Sequence, residues 1–267
     1  MISQAIEYIK KENLETIAAI NHVPVKGFYV LVNQDGSFGV YNERRFCFNQ
    51  NLRKKDFYSY LVSINKPIAS KLISSNNYFT FWVRNITKLK EEDIDCYYDT
   101  LNLPVEYAWF RDWVKAHIWK LGNNYKGIIK IFFPGAVEDY RTLGMDYWLE
   151  KSITYTKFSK EVGLPIGVIA NEQKKPYLLT SRINAYLLTK EECLDIKLFY
   201  DILRSFLRKG YNQLYLDEEG LYPANKDVPP SKPLIIGGIF FAFAFDDKGQ
   251  VVIQDMEPVP RYCAVLD

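Results

Sequence analysis

The sequence predicts an α+β protein with mixed, largely antiparallel sheets and packed helices. Three observations carry this. Short runs rich in Val, Ile, Tyr and Phe end at turn residues, most plainly around Asp35-Gly36 and around residues 246–249. Segments at 3–18, 105–121 and 190–209 instead repeat their apolar residues at helical spacing. Aromatic residues make up 16% of the chain, with 20 Tyr and 17 Phe. They can fill a β-rich core or offer faces on which bases stack, and most are assigned to the core.

In chain order, Ser3 can cap a helix over 3–18, with Ile6, Ile9, Leu14, Ile17 and Ala18 on one face. Residues 27–33 and 38–41 flank Asp35-Gly36 as a hairpin. Residues up to Lys55 read as strand and loop, and Asp56 can cap a short helix through Ile64. Residues 78–84 form a strand, its Phe79, Phe81 and Val83 face in the core and its Tyr78, Thr80, Trp82 and Arg84 face wet or ligand-facing. Before it, Ser74-Ser75-Asn76-Asn77 is a polar loop. Glu91, Glu92 and Asp93 suit the first turn of a helix towards Leu101. A Trp-rich helix over 105–121, a strand over 127–133 stopped by Pro134-Gly135, and a helix over 138–151 follow. Residues 166–170 suit a short strand, and 171–182 a turn entering an extended piece. Gly210 ends the long helix 190–209, and 213–216 is a strand before an acidic turn at 217–219. The domain reading is 1–222 as a nucleic-acid-binding region, 223–233 as a Pro-rich loop, and 234–267 as a β-hairpin packing back on the same domain.

Charge is unevenly placed. Residues 44–90 hold ten Lys and Arg and one acid, Asp56, so this stretch is +9 in a chain whose net charge is +2. One sign concentrated among Tyr, Phe, Trp, Asn and Ser suits a surface that holds a phosphate backbone. A solvated face accounts for the same charge equally well.

Catalytic chemistry finds little support. The two histidines, His22 and His117, lie in a loop and a Trp-rich helix, where structural roles suffice. There is no zinc-ligand spacing, nucleophile elbow or phosphate-cradling loop. Asp93 and Asp95, and Asp217 to Glu219, lack a calcium-loop pattern. Neither a cofactor nor a metal is expected. Cys47, Cys96, Cys193 and Cys263 form no CxxC pair, the N-terminus carries no apolar signal region, and the longest apolar run, 234–245, is too short to span a bilayer. Together these read as a soluble cytoplasmic protein that does not engage a membrane.

Several segments resemble the large subunit of type I-B CRISPR Cascade complexes. They are the N-terminal helix followed by Phe28-Tyr29-Val30-Leu31, Asn65-Lys66 leading into residues 72–84 (LISSNNYFTFWVR), Ile129-Lys130-Ile131-Phe132-Phe133, and Lys174-Lys175-Pro176-Tyr177-Leu178 with Thr180 and Arg182. The closing hairpin, ending at residues 252–256, also resembles that family. Family members are considerably longer and end in a helical bundle, so the expectation is an N-terminal portion lacking that bundle. The resemblance implies a non-catalytic subunit that binds the 5′ handle of a guide RNA and target double-stranded DNA. It would recognise the protospacer-adjacent motif, contact other Cascade subunits and serve a complex that recruits a separate helicase-nuclease.

On this reading Arg44, Arg45, Arg53, Lys54, Lys55, Lys71, Arg84, Lys174, Lys175 and Arg182 are candidate phosphate contacts. Asn76, Asn77 and Tyr78 are candidates for base or handle contact. Each has an ordinary alternative: a turn bonding its own backbone for the Asn residues, strand packing for Tyr78, and an ion pair with the following acidic run for Arg84. Two other functions remain open. One is a metal-dependent nuclease whose carboxylates converge only in the fold; the other is a protein-interaction subunit whose basic face docks an acidic partner.

Overall fold

A computed structural model describes residues 2–10, 13–47, 49–63, 66–122, 127–155, 161–165, 187–232, 237–247 and 249–260. The protein is α+β, with two four-stranded open sheets and a two-stranded one. It divides into two compact units, Pro24–Lys151 and Met1–Val23 with Ser152–Asp267. The expected strand at 166–170 and the extended piece at 171–182 lie outside the described residues. Among the described residues no helix is long and apolar enough to cross a membrane.

In the unit Pro24–Lys151 the sheet order is β2 (Phe38–Asn42), β1 (Phe28–Val32), β4 (Ile129–Phe132) and β3 (Thr80–Val83). The β1–β4 pair is parallel and the others are antiparallel. The hairpin at Asp35-Gly36 forms as the sequence indicates: the Asn33 N–H donates to the Ser37 carbonyl at 2.8 Å, and Gly36 takes a φ of +80° that other residues rarely adopt. Helices cover both faces. On one, Phe81 meets Tyr97 and Tyr98 of α5 (Glu91–Thr100), and Phe38 meets Trp113 of α6 (Trp109–Gly122). On the other lie α3 (Glu43–Cys47), α4 (Gln50–Tyr58) and α7 (Val137–Lys151), with Phe46 against Tyr29 and Phe132, and Tyr140 against Phe132.

At the centre of that second face sits a lysine. Strand register puts Tyr29 and Trp82 on either side of Lys130. The Lys130 ammonium lies 3.8 Å from the Trp82 ring centroid and 5.1 Å from that of Tyr29. Its Nζ donates to Asp56 Oδ1 at 2.5 Å, and both side chains are almost fully buried.

This overturns two local expectations. Asp56 does not start a helix; it lies in the last turn of α4, which Asn49 caps, its side chain accepting from the Asn51 and Leu52 N–H groups. The stretch up to Lys55 is therefore largely helical, in α3 and α4, rather than strand and loop. Nor does β3 have a wet face: all four of its residues are buried. Trp82 and Thr80 belong to the Lys130 side, and that side is covered by helices.

The other unit is built on α8 (Lys190–Arg208). Thr189 caps it, accepting from the Glu192 N–H, while the Glu192 carboxylate accepts from the Thr189 N–H. Eleven α8 residues are buried, so the helix is enclosed on more than one side. It packs against α1 (Ile2–Lys10), α2 (Leu14–Asn21), the pair β5 (Ile153–Tyr155) and β6 (Gly163–Pro165), and an antiparallel sheet. That sheet runs β10 (Val251–Pro258), β9 (Ile239–Phe245), β7 (Gln213–Leu216), β8 (Leu221–Ala224). The single N-terminal helix expected is two. Asn13, at φ +66°, caps α2 by accepting from the Thr16 N–H.

Two measurements probe these cores. Lys130→Met leaves Asp56 buried without its cation and is expected to cost about 3–5 kcal/mol of unfolding free energy. Adding Asp56→Leu should recover part of that loss, read by urea denaturation; strictly additive losses would show that the two side chains are not coupled. The second concerns Lys197, buried on α8, where its Nζ donates to Asp201 Oδ2 at 2.8 Å while Arg204 donates to Asp201 Oδ1 at 2.6 Å. Burial pulls the Lys197 pKa down from 10.5 to about 8 despite the Asp201 carboxylate. A depressed lysine binds fewer protons folded than unfolded, so stability rises with pH between about 8 and 10.5. Wild type should therefore gain on Lys197→Met across that window, by at most about 1.4 kcal/mol per pH unit, measured as the difference between their unfolding free energies.

Candidate nucleic-acid interface

The basic residues predicted to hold phosphate fall into distinct environments. Arg44 and Arg45 are exposed on α3, where the Asn42 side chain accepts from the Arg45 N–H and helps start the turn. Arg53 and Lys54 are half-buried on α4, and the Arg53 Nε is buried without a hydrogen-bond partner among the described residues. Lys71 and Arg84 are exposed, and the Arg84 N–H donates to the Leu72 carbonyl at 3.1 Å, which sets the two chain segments side by side. Among the described residues no ion pair engages Arg44, Arg45, Lys54, Lys71 or Arg84. Three of the acids after Arg84 have other partners. Asp93 accepts from the Lys90 N–H, Asp95 pairs with Lys115 at 2.7 Å, and Asp99 pairs with Arg111 at 2.5 Å. Lys174, Lys175 and Arg182 lie outside the described residues.

Lys55 points inward. Its ammonium donates to the Gly135 carbonyl at 2.6 Å and lies 4.8 Å from the Tyr140 ring centroid. Burial lowers its pKa, against the pull of the Asp139 carboxylate. This lysine closes α4 onto the start of α7 and is removed from the phosphate set.

Asn76 and Asn77 are also removed from the interface. Both are buried at 2% and 1% exposure. The Asn76 amide donates to the Tyr58 and Tyr60 carbonyls, each at 3.0 Å, and the Asn77 amide donates to Ser59 Oγ and to Asn76 Oδ1. Asn77 Oδ1 accepts from the Phe79 N–H at 3.1 Å, an Asx turn that leads into β3. The Tyr97 hydroxyl reaches the same loop, 2.7 Å from Ser75 Oγ and 2.8 Å from the Asn77 carbonyl, and burial raises its pKa. The Ser-Ser-Asn-Asn loop is thus an internal polar junction that joins the end of α4 to β3 and α5. In sequence its donors and acceptors have the character of a reading surface, because composition does not report burial. Tyr78, next in the chain, does reach the surface in part. It stacks on Tyr107 with centroids 5.7 Å apart, and burial, with Tyr107, Asp139 and Glu106 nearby, raises its pKa.

A groove of about 260 Å³ is lined by Gln34, Glu106, Tyr107, Trp109, Phe110 and Pro134. Its residues come from just beyond the C-terminal ends of the parallel strands β1 and β4, from a 3₁₀ turn at Val105–Tyr107, and from the start of α6. Their spread from position 34 to 134 hides them from any local motif, and sequence reasoning does not find them. Among the described residues no group of three or more His, Cys, Asp or Glu is placed to hold a metal ion. No family model, curated protein or solved structure matches the chain.

Stability and nucleic-acid binding are separable in this region. Asn76→Ala is expected to lower stability by about 1–3 kcal/mol and to leave DNA affinity unchanged, with denaturation and fluorescence anisotropy as the two readouts. Weakened affinity in a fully folded Asn76→Ala protein would return this loop to the interface.

Proposed function

We propose that the chain is a non-catalytic, nucleic-acid-binding subunit of an RNA-guided CRISPR interference complex of the type I-B Cascade kind. In it the chain contacts guide RNA and target duplex near the protospacer-adjacent motif, beside other Cascade subunits, in the cytoplasm, and the complex recruits a helicase-nuclease. The observation that carries the reading is the outward placement of Arg44, Arg45, Lys71 and Arg84 in one unit of the fold, with no ion pair to them among the described residues. The resemblance of several segments to the Cascade large subunit supplies the system. Asp56, the one acid of the basic stretch, is consumed internally by Lys130 and does not offset this charge at the surface.

The contact set for phosphate is Arg44, Arg45, Arg53, Lys54, Lys71 and Arg84, with Lys174, Lys175 and Arg182 added on charge alone. Tyr78 remains as a partly exposed aromatic beside them in sequence. Such contacts position a duplex without reading its sequence, and guide pairing supplies the specificity.

Arg44→Glu/Arg45→Glu/Lys71→Glu/Arg84→Glu should weaken DNA and guide-RNA binding. It should also flatten the dependence of log K on log salt by about 0.9 for each duplex phosphate that is no longer neutralised. Unchanged affinity and slope would reject the phosphate assignment. Recovery of the native chain without a small guide RNA or a multi-subunit ribonucleoprotein would reject the Cascade assignment while leaving nucleic-acid binding intact. Cleavage of nucleic acid with magnesium or manganese, abolished by Asp93→Ala/Asp95→Ala, would favour the nuclease instead.

A further inference from the structure

The groove between Gln34, Glu106, Tyr107, Trp109, Phe110 and Pro134 differs in character from the basic surface. No lysine or arginine lines it. Its aromatic wall is ordered by packing: Tyr107 stacks on Phe110 at 5.2 Å, and Trp109 stands edge-on to Phe110 at 4.6 Å and to Phe133 at 5.6 Å. Tyr107 and Trp109 remain half-buried, so these rings are both held and reachable. Next to Glu106 in the chain, Val105 is 90% exposed.

The charge at the groove is negative. Glu106 is exposed, and among the described residues no ion pair engages it. Two helix N-termini come close in sequence, those of α6 and α7, and each favours an anion. Each is answered by its own acids. Asp112 lies in the first turn of α6, and at α7 the Asp139 Oδ2 accepts from the Ala136 N–H. Asp139 also faces Lys55. Glu106 is the carboxylate left over, next to aromatic faces that attract cations through their quadrupole. None of the lining residues is a cation that could neutralise a phosphate backbone.

We propose that this groove is a docking site for a cationic side chain, guanidinium or ammonium, presented by a protein partner. The aromatic rings take the flat or alkyl part of that side chain, Glu106 takes its charge, and the Gln34 carboxamide stands ready as a hydrogen-bonding group. The site is independent of the phosphate contacts, so it survives whether or not the chain binds nucleic acid.

The probe is Nα-acetyl-arginine methylamide, with the uncharged citrulline analogue as control. The readout is the five tryptophan indole N–H signals in heteronuclear NMR, that of Trp109 assigned from Trp109→Phe. The arginine probe should shift the Trp109 signal saturably and leave the remote indoles in place. The citrulline analogue, and the arginine probe on Glu106→Gln, should bind roughly three- to thirtyfold more weakly, the range of a cation–aromatic contact. Glu106 is exposed, so its replacement by Gln does not threaten the fold, and unmoved remote indoles verify that. Equal binding of arginine and citrulline probes, or unaltered binding on Glu106→Gln, would overturn the proposal. So would the absence of any Trp109 shift, or a stronger shift with adenosine monophosphate, which would mark the groove as a nucleobase site.

Discussion

The unit Pro24–Lys151 depends on a cation buried in its sheet. Lys130 stands in an interior strand with Tyr29 and Trp82 as lateral neighbours, so it cannot reach water along the sheet. An unpaired ammonium there would be prohibitively costly. Asp56 meets it from α4, which fixes both the height and the rotation of that helix over the sheet. With Asp56 in place, Phe57 packs edge-on against Trp148 of α7, and the chain leaves α4 at Tyr58 and Ser59 where the Asn76 and Asn77 amides can reach it. The close passage of α4 and α7 adds a further constraint, since a Cβ at Gly144 would collide with the Tyr58 carbonyl oxygen. A hydrophobic pair could fill the Lys130 site at equal or lower cost. What the ion pair adds is a single permitted register for α4.

That register decides which charges reach solvent. On α4 the successive residues Lys54, Lys55 and Asp56 diverge: Lys54 remains half-exposed, Lys55 turns to Gly135 and Tyr140, and Asp56 turns to Lys130. A helix separates adjacent residues by about 100°, so adjacent charges cannot share a face. The basic run therefore does not act as one patch. It resolves into α3 with the outer side of α4, and a second group where Arg84 lies beside Leu72.

The α+β class, the two hairpins, and the helices near 91–100, 109–122, 137–151 and 190–208 were legible from spacing and turn residues. Each is set by local chemistry: Asp35-Gly36, the acids of α5, the Thr189 and Glu192 capping box. The misread segments are those whose conformation is decided at a distance. Asp56 has good capping chemistry, but the demand of Lys130, 74 positions away, prevails. Asn76 and Asn77 have the composition of a recognition loop, but the carbonyls that Asn76 satisfies belong to residues 16 to 18 positions earlier. A signal was present in Ile129-Lys130-Ile131-Phe132, because a lysine inside an apolar strand requires a buried acid somewhere. Nothing in the spacing says which one.

The aromatic content carried the same ambiguity, and burial resolves most of it. Phe46, Phe57, Phe81, Phe110, Phe132, Phe133, Tyr97, Tyr98, Tyr140 and Trp148 are core. Stacking reaches the surface where Tyr107, on Phe110, and Tyr78, on Tyr107, continue the core stack outward past the ends of β1 and β4, with Trp109 edge-on to Phe110 and Phe133. There the neighbouring charge is Glu106, whereas the outward arginines sit on α3 and beside Leu72. A surface that grips phosphate gains from adjoining cations, and a surface that stacks on aromatics beside a carboxylate is weakened by phosphate. The two features therefore suit ligands of opposite sign. On the two proposals above, the outward arginines would face a polyanion and the groove at Glu106 a cationic side chain, so the two would not compete for one ligand.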